Sequence, residues 1–114
     1  MKILVCGGRD YIDWLHLYRV LDEANHDGNI EICHGGARGA DALAGIWARS
    51  RGVECKVYHA DWQKHGKSAG HIRNKQMLED FKPDAVIAFP GGAGTKNMIR
   101  LAQKAGVTVW IQNQ

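Results

Sequence analysis

Apolar residues fall along this chain in short continuous runs, separated by longer stretches in which they recur every three or four positions. Ile3–Cys6 is apolar throughout and is stopped by Gly7-Gly8, the profile of a strand buried on both faces. Asp13 can then cap a helix carrying Leu17, Val20, Leu21 and Ala24 at helical spacing, ended by Asp27-Gly28-Asn29. Ile30–Cys33 repeats the strand profile and is stopped by Gly35-Gly36. Ala40–Ser50 reads as a helix with Leu43, Ile46 and Trp47 on one face, closed by Gly52, and Glu54–Tyr58 reads as a third strand. His59–Gly70 is the longest polar stretch and is expected to be a loop, of a length often tied to function. A helix over Gly70–Phe81 follows, carrying Ile72, Met77, Leu78 and Phe81, with Pro83 beyond it. Ala85–Phe89 is a fourth strand, bounded by Pro90-Gly91-Gly92. Thr95 is placed to cap a last helix through Met98, Leu101, Ala102 and Ala105, and Val107–Ile111 after Gly106 is the final strand.

Strand and helix thus alternate from end to end. Continuous apolar strands joined by helices imply a mainly five-stranded parallel sheet covered on both faces, a Rossmann-like three-layer α/β sandwich. With 114 residues there is room for one such domain, spanning 1–114. The three cysteines, Cys6, Cys33 and Cys55, form no C-x-x-C pair and read as small buried residues rather than a disulfide framework or zinc site. No transmembrane stretch or signal-peptide core is visible, so a cytoplasmic protein without membrane attachment is expected. The net charge of +3 permits an anionic partner without demanding nucleic acid.

Three of the strands end alike, at Gly7-Gly8, Gly35-Gly36 and Gly91-Gly92, and each pair precedes a helix. In a parallel sheet these turns share the C-terminal edge, where ligands of open sheets bind beside the point of strand-order reversal. Glycine lets the backbone approach an oxyanion, and the following helix presents unpaired N–H groups and a partial positive charge. Arg9, Arg38, Lys67 and Arg73 lie in or just after these loops. A single Gly-Gly would merely permit a tight turn; three at equivalent places point to anion binding. The dinucleotide fingerprint G-x-G-x-x-G is absent, and Gly66-Lys67-Ser68 lacks the first glycine of a P-loop, a place held by Asp61.

The run Pro90-Gly91-Gly92-Ala93-Gly94-Thr95 resembles the P-G-G-x-G-T motif of the SLOG superfamily, which includes the Lonely Guy phosphoribohydrolases. Gly7-Gly8-Arg9-Asp10, Gly35-Gly36-Ala37-Arg38-Gly39-Ala40-Asp41, Ala60-Asp61-Trp62 and Gly70-x-x-Arg73-Asn74 resemble its YspA/YpsA-related branch. The resemblance implies a Rossmann-like fold and a nucleotide-derived ligand bearing phosphate, held by Gly91, Gly92, Gly94 and Thr95 with Arg38 or Arg73 adding charge. It also implies, by analogy, a homo-oligomer. One position departs from the hydrolases. Their catalytic glutamate, three residues past the threonine, is Met98 here, and no Asp or Glu follows Asp84. Their catalytic arginine, in R-x-x-x-M, has a match in Arg73 with Met77.

The remaining candidates carry two readings each. Asp41 is either a carboxylate of the site or a helix-start acid favoured by the macrodipole. Asp10 either bonds a ribose hydroxyl or stabilises a turn. Asp61 is a base, a ligand contact or a loop partner, and Trp62 either stacks on a base or packs. Asp41, Asp61 and Arg73 are the candidate catalytic residues. His34, His59, Asp61, His65 and His71 fit no strong metal spacing, so neither metal nor cofactor is expected. Arg73 is placed in a first helical turn, where a cation opposes the dipole. Lys96, Arg100 and Lys104 make a basic stripe, ordinarily a solvated face. The leading expectation is a binding protein that senses or sequesters a nucleotide-derived molecule. An N-glycosidic hydrolase of a nucleotide or ADP-ribose-like substrate comes second, and a single-stranded nucleic-acid binder third.

Overall fold

A computed structural model describes residues 1–114. The elements run β1 (Lys2–Cys6), α1 (Trp14–Ala24), β2 (Glu31–His34), α2 (Ala40–Arg51), β3 (Cys55–Val57), α3 (Trp62–His65), α4 (Ala69–Phe81), β4 (Ala85–Ala88), α5 (Ala93–Lys104) and β5 (Thr108–Ile111). A 3-10 turn over Gly66–Ser68 joins α3 to α4. The strands form one five-stranded, all-parallel sheet in the order β3-β2-β1-β4-β5. The chain fills one side of β1 with β2 and β3, then returns to its other side with β4. The order therefore reverses between β1 and β4, and a crevice opens at the C-terminal edge beside it.

The apolar runs are continuous because both faces of the sheet are covered. Ile3, Val5, Ile32 and Ile87 pack with Leu17 and Leu21 of α1 and Ala44, Trp47 and Ala48 of α2. Leu4, Cys6, Cys33 and Val86 pack with Met77 and Phe81 of α4 and Met98 and Ala102 of α5. Neighbouring residues of each central strand thus feed opposite cores. Asp13 caps α1 as expected, its Oδ1 accepting from the His16 N–H at 3.2 Å.

Several local expectations change. The segment 59–70 is not one loop but carries α3 and a 3-10 turn. Asp61 starts α3, its carboxylate accepting from the Lys64 N–H at 3.1 Å. No residue of α3 is buried, so its sequence has no apolar period to betray it. Thr95 does not cap α5. Gly92 occupies the cap, no side chain bonds there, and Thr95 lies buried in the first turn. Because α4 begins at Ala69, Arg73 belongs to its second turn, beyond the strongest reach of the dipole. Ile46 and Ile72 are exposed, and Cys55 is only partly buried because β3 is an edge strand.

Candidate functional site

The three glycine turns pack on one another at the C-terminal edge. The Gly8 N–H donates to the Pro90 carbonyl at 2.8 Å, and the Gly8 carbonyl accepts from the Ala40 N–H at 3.1 Å. This packing explains several glycines without a ligand. A Cβ on Gly7 would come within 2.5 Å of the Ala40 Cβ, and one on Gly8 within 2.9 Å of the Pro90 carbonyl oxygen. A Cβ on Gly91 would strike Thr95 Oγ1, and one on Gly35 would strike the Arg73 guanidinium. Gly92 and Gly94 are different: nothing lies within 4 Å of where their Cβ would stand. Protein packing does not require glycine there, whereas close approach of a ligand to the α5 amides would.

Between the turns lies a cleft of about 400 Å³, lined by Gly7, Gly8, Arg9, Asp10, Gly35, Asp41, Trp62, Lys67, His71, Arg73, Asn74, Gly92, Gly94 and Thr95 among others. The starts of α2 and α5 border it, and neither has a side-chain cap, while α1 and α3 are capped by Asp13 and Asp61. The first amides of α5 therefore keep their hydrogen-bonding capacity. Thr95 is buried yet its hydroxyl bonds to no protein group and is not sealed from solvent.

Asp41 and Arg73 grip the β2–α2 turn from opposite sides. Asp41 Oδ2 accepts from the Gly35 and Ala37 N–H groups at 3.1 and 3.2 Å, leaving Oδ1 without a protein partner. Arg73 Nη1 donates to the Gly35 carbonyl and Nε to Asn74 Oδ1. Asn74 Nδ2 in turn donates to the Gly94 carbonyl at 3.1 Å and to Asn97 Oδ1 at 3.0 Å. A polar chain thus runs from the β2 turn through α4 to the first turn of α5. It fixes the guanidinium and leaves Nη2 without a protein acceptor. Burial pushes the Asp41 carboxyl up to about 6, against the pull of its amide bonds and of Arg73 and Arg9. Burial also lowers Arg73 from the usual arginine value, opposed by Asp41. Arg9 lies over the Trp62 ring at 5.4 Å, and Trp62 is 50% exposed.

Four of the candidate residues lie outside this cleft. Asp61 is the cap of α3, Gly91 is buttressed by Thr95 and Gly8, and Gly36 and Arg38 line a neighbouring hollow. Asp10 and Arg38 form an exposed pair at 3.3 Å. Met98, at the place of the hydrolases' acid, is fully buried against the core that holds Leu4, Cys6 and Met77. His71, weighed in the sequence only as a metal ligand, lines the cleft, and Asn97, not singled out there, supports it through Asn74. Asn97 had a signal: it is a polar residue between Thr95 and Met98 on the inward side of α5. No group of three or more His, Cys, Asp or Glu side chains is close enough to hold a metal ion. His34 is buried, its Nδ1 paired with the Gly36 N–H at 3.0 Å and its basicity pushed down to about 4, chiefly by burial. No helix is long and apolar enough to cross a membrane.

The family model of the YspA, cpYpsA-related SLOG family matches residues 1–65. The Gene 61 protein of Mycobacterium phage D29 is 38% identical over 117 residues, an alignment covering 95% of this chain and 93% of that protein. Among solved structures, the structural-genomics target TM1055 superposes with a TM-score of 0.70 at 20% identity, covering 95% of this chain and 71% of the other. The UDP-GlcNAc 2-epimerase from Neisseria meningitidis, solved bound to UDP-GlcNAc, gives a TM-score of 0.61 at 18% identity. The match covers 97% of this chain but 32% of the epimerase. At these identities both structures speak to the fold alone.

Proposed function

The chain belongs to the YspA, cpYpsA-related SLOG family, and from that premise we propose that it binds a phosphate-bearing, nucleotide-derived small molecule in the cleft, as a sensor or sequestering protein. One observation carries this reading. The uncapped first turn of α5 meets the cleft with two glycines open to it, a Thr95 hydroxyl that has no protein partner and is not sealed from solvent, and a pinned arginine facing the same space. A helix start contributes about 0.3–1 kcal/mol to an exposed anion, and a charge-assisted hydrogen bond about 1.5–3 kcal/mol. Micromolar binding requires about 8 kcal/mol. Phosphate contacts from Gly92, Gly94, Thr95 and Arg73 must therefore be joined by contacts to the sugar and base. Asp10 is within the cleft for a ribose hydroxyl, and the exposed Trp62 ring for a base.

Asp41 favours a second reading, N-glycosidic hydrolysis of a nucleotide or ADP-ribose-like substrate. Its Oδ1 is free of protein partners and its pKa near 6 suits a general acid or base. Binding stays the leading reading because that carboxylate already holds the β2–α2 turn, and because Met98 can neither move a proton nor stabilise an oxocarbenium ion. Mass spectrometry of small molecules carried through native purification tests the proposal, followed by incubation with nucleoside monophosphates, ADP-ribose and cyclic ADP-ribose isomers. Recovery of an intact nucleotide derivative that survives incubation supports the binder. Release of free base, lost in Asp41→Asn, promotes the hydrolase.

A further inference from the structure

The cleft does not end at Trp62. A second hollow of about 370 Å³ adjoins it, and Arg9, Gly35, Ala37, Trp62 and Arg73 line both. The stacked Arg9 and Trp62 side chains, together with Arg73, thus form a shared wall between two spaces. The chemistry differs on the two sides. The first space contains Asp10 and Asp41 beside its cations. The second adds Arg38 and His59 to Arg9 and Arg73 and has no carboxylate in its lining. The carboxylate nearest in partnership is Asp10, which meets Arg38 at 3.3 Å with both side chains mostly exposed, Asp10 at 95% and Arg38 at 75%. Such a pair is weak and easily exchanged for a stronger anion. The hollow has a shaped floor as well: Gly36 has a φ of +70°, and a Cβ there would lie 2.7 Å from His59 Nδ1, so the imidazole rests directly on the turn.

We propose that this hollow is a second anion subsite, and that the ligand carries a second phosphate remote from the first, the two straddling the Arg9–Trp62 wall. The inference rests on the reading of the first cleft as a nucleotide site and specifies its ligand as a nucleoside bisphosphate, with its two phosphates on different sugar hydroxyls, rather than a simple nucleoside monophosphate. Arg9 and Arg73 serve both subsites, Arg38 and His59 only the second. The presence of Asp10 and Asp41 disfavours further negative charge in the first cleft, which directs the additional phosphate to the other side.

The test is calorimetric titration of the intact chain at low salt with three probes: adenosine 5′-monophosphate, adenosine 3′,5′-bisphosphate and ADP-ribose. The 3′,5′-bisphosphate should bind about tenfold or more tightly than the monophosphate and more tightly than ADP-ribose, whose two phosphates are adjacent. Arg38→Ala should erase that advantage while moving monophosphate affinity far less, and Arg38→Lys should restore part of it. Equal affinity for all three probes overturns the second subsite and leaves the nucleotide reading standing. An advantage that survives both Arg38→Ala and His59→Ala overturns the placement. Absence of binding by every probe overturns the nucleotide reading and the subsite with it. Tighter binding of a short single-stranded oligonucleotide than of either two-phosphate probe overturns the small-molecule assignment.

Discussion

Asp41→Asn separates what this carboxylate does for the fold from what it does for a ligand. The substitution keeps a side-chain oxygen for the Gly35 and Ala37 amides, which Oδ2 accepts at 3.1 and 3.2 Å, and removes a buried charge. The folded pKa of about 6 stands above the ordinary 3.8, with burial the leading cause. That is about 2 pK units, or roughly 3 kcal/mol at about 1.36 kcal/mol per unit. A carboxyl raised by folding holds its proton more tightly in the native state. Its stabilising share is therefore complete below pH ~4 and is lost as the pH rises through about 6. At pH 8 Asp41→Asn should be more stable than the parent by up to about 3 kcal/mol, the gap closing as the pH falls from 6 towards 4. Urea unfolding at a series of pH values measures this, provided the m-values agree. An Asn variant that is less stable at pH 8, or a gap independent of pH, would refute the reasoning: the amide bonds and Arg73 would then outweigh burial. Under the proposed function the more stable variant keeps its ligand, since Asp41 is bonded to the β2–α2 turn and its charge opposes that of a phosphate in the same cleft.

Gly35→Ala places a Cβ against the Arg73 guanidinium, so it should weaken phosphate binding while the far-ultraviolet circular dichroism stays unchanged. Met98→Glu should not create a hydrolase; it buries an unpaired carboxyl in the core, costing several kcal/mol of stability by thermal or urea unfolding. Trp62→Ala, at a half-exposed position, should shift stability by less than about 1 kcal/mol. It should lower nucleotide affinity by about tenfold, the scale of one base–aromatic stack, while leaving ribose 5-phosphate affinity unchanged. Tyr58→Phe should lose about 1 kcal/mol by deleting the bond from the residue just after β3 to Asp80 on α4, with no change in ligand binding.

The sheet was legible because both of its faces are covered. Ile3–Cys6 and Ala85–Phe89 read as unbroken apolar runs, and their spacing with helices between leaves little other than a parallel order. The order β2-β1-β4 sets the three glycine turns side by side at the shared edge. The short helix α3 was not legible because none of its residues is buried. The glycines were only half legible. Sequence marks Gly7, Gly8, Gly35, Gly91, Gly92 and Gly94 alike. The fold separates those that let turns and Arg73 pack from Gly92 and Gly94, which face open space. Arg73 and Asp41 were visible as charged residues near turns, but their joint grip on Gly35 depends on an approach between residues 38 apart in sequence. Arg38 was visible as a charge beside a glycine turn, but the hollow it shares with His59 depends on segments distant in sequence, Arg9 and Trp62 among them, meeting in the fold.

The central claim concerns a place as much as a ligand, so the most direct measurement reports on individual amides. In a ¹⁵N–¹H correlation spectrum titrated with adenosine 5′-monophosphate and ADP-ribose, the amides of Gly92, Ala93, Gly94 and Thr95 should move first and furthest. Gly35 and the Trp62 indole should follow, and the same shifts should be lost in Arg73→Ala. Shifts centred instead on the outer face of α5, at Lys96, Arg100 and Lys104, or no shifts with any nucleotide of the panel, would contradict the account.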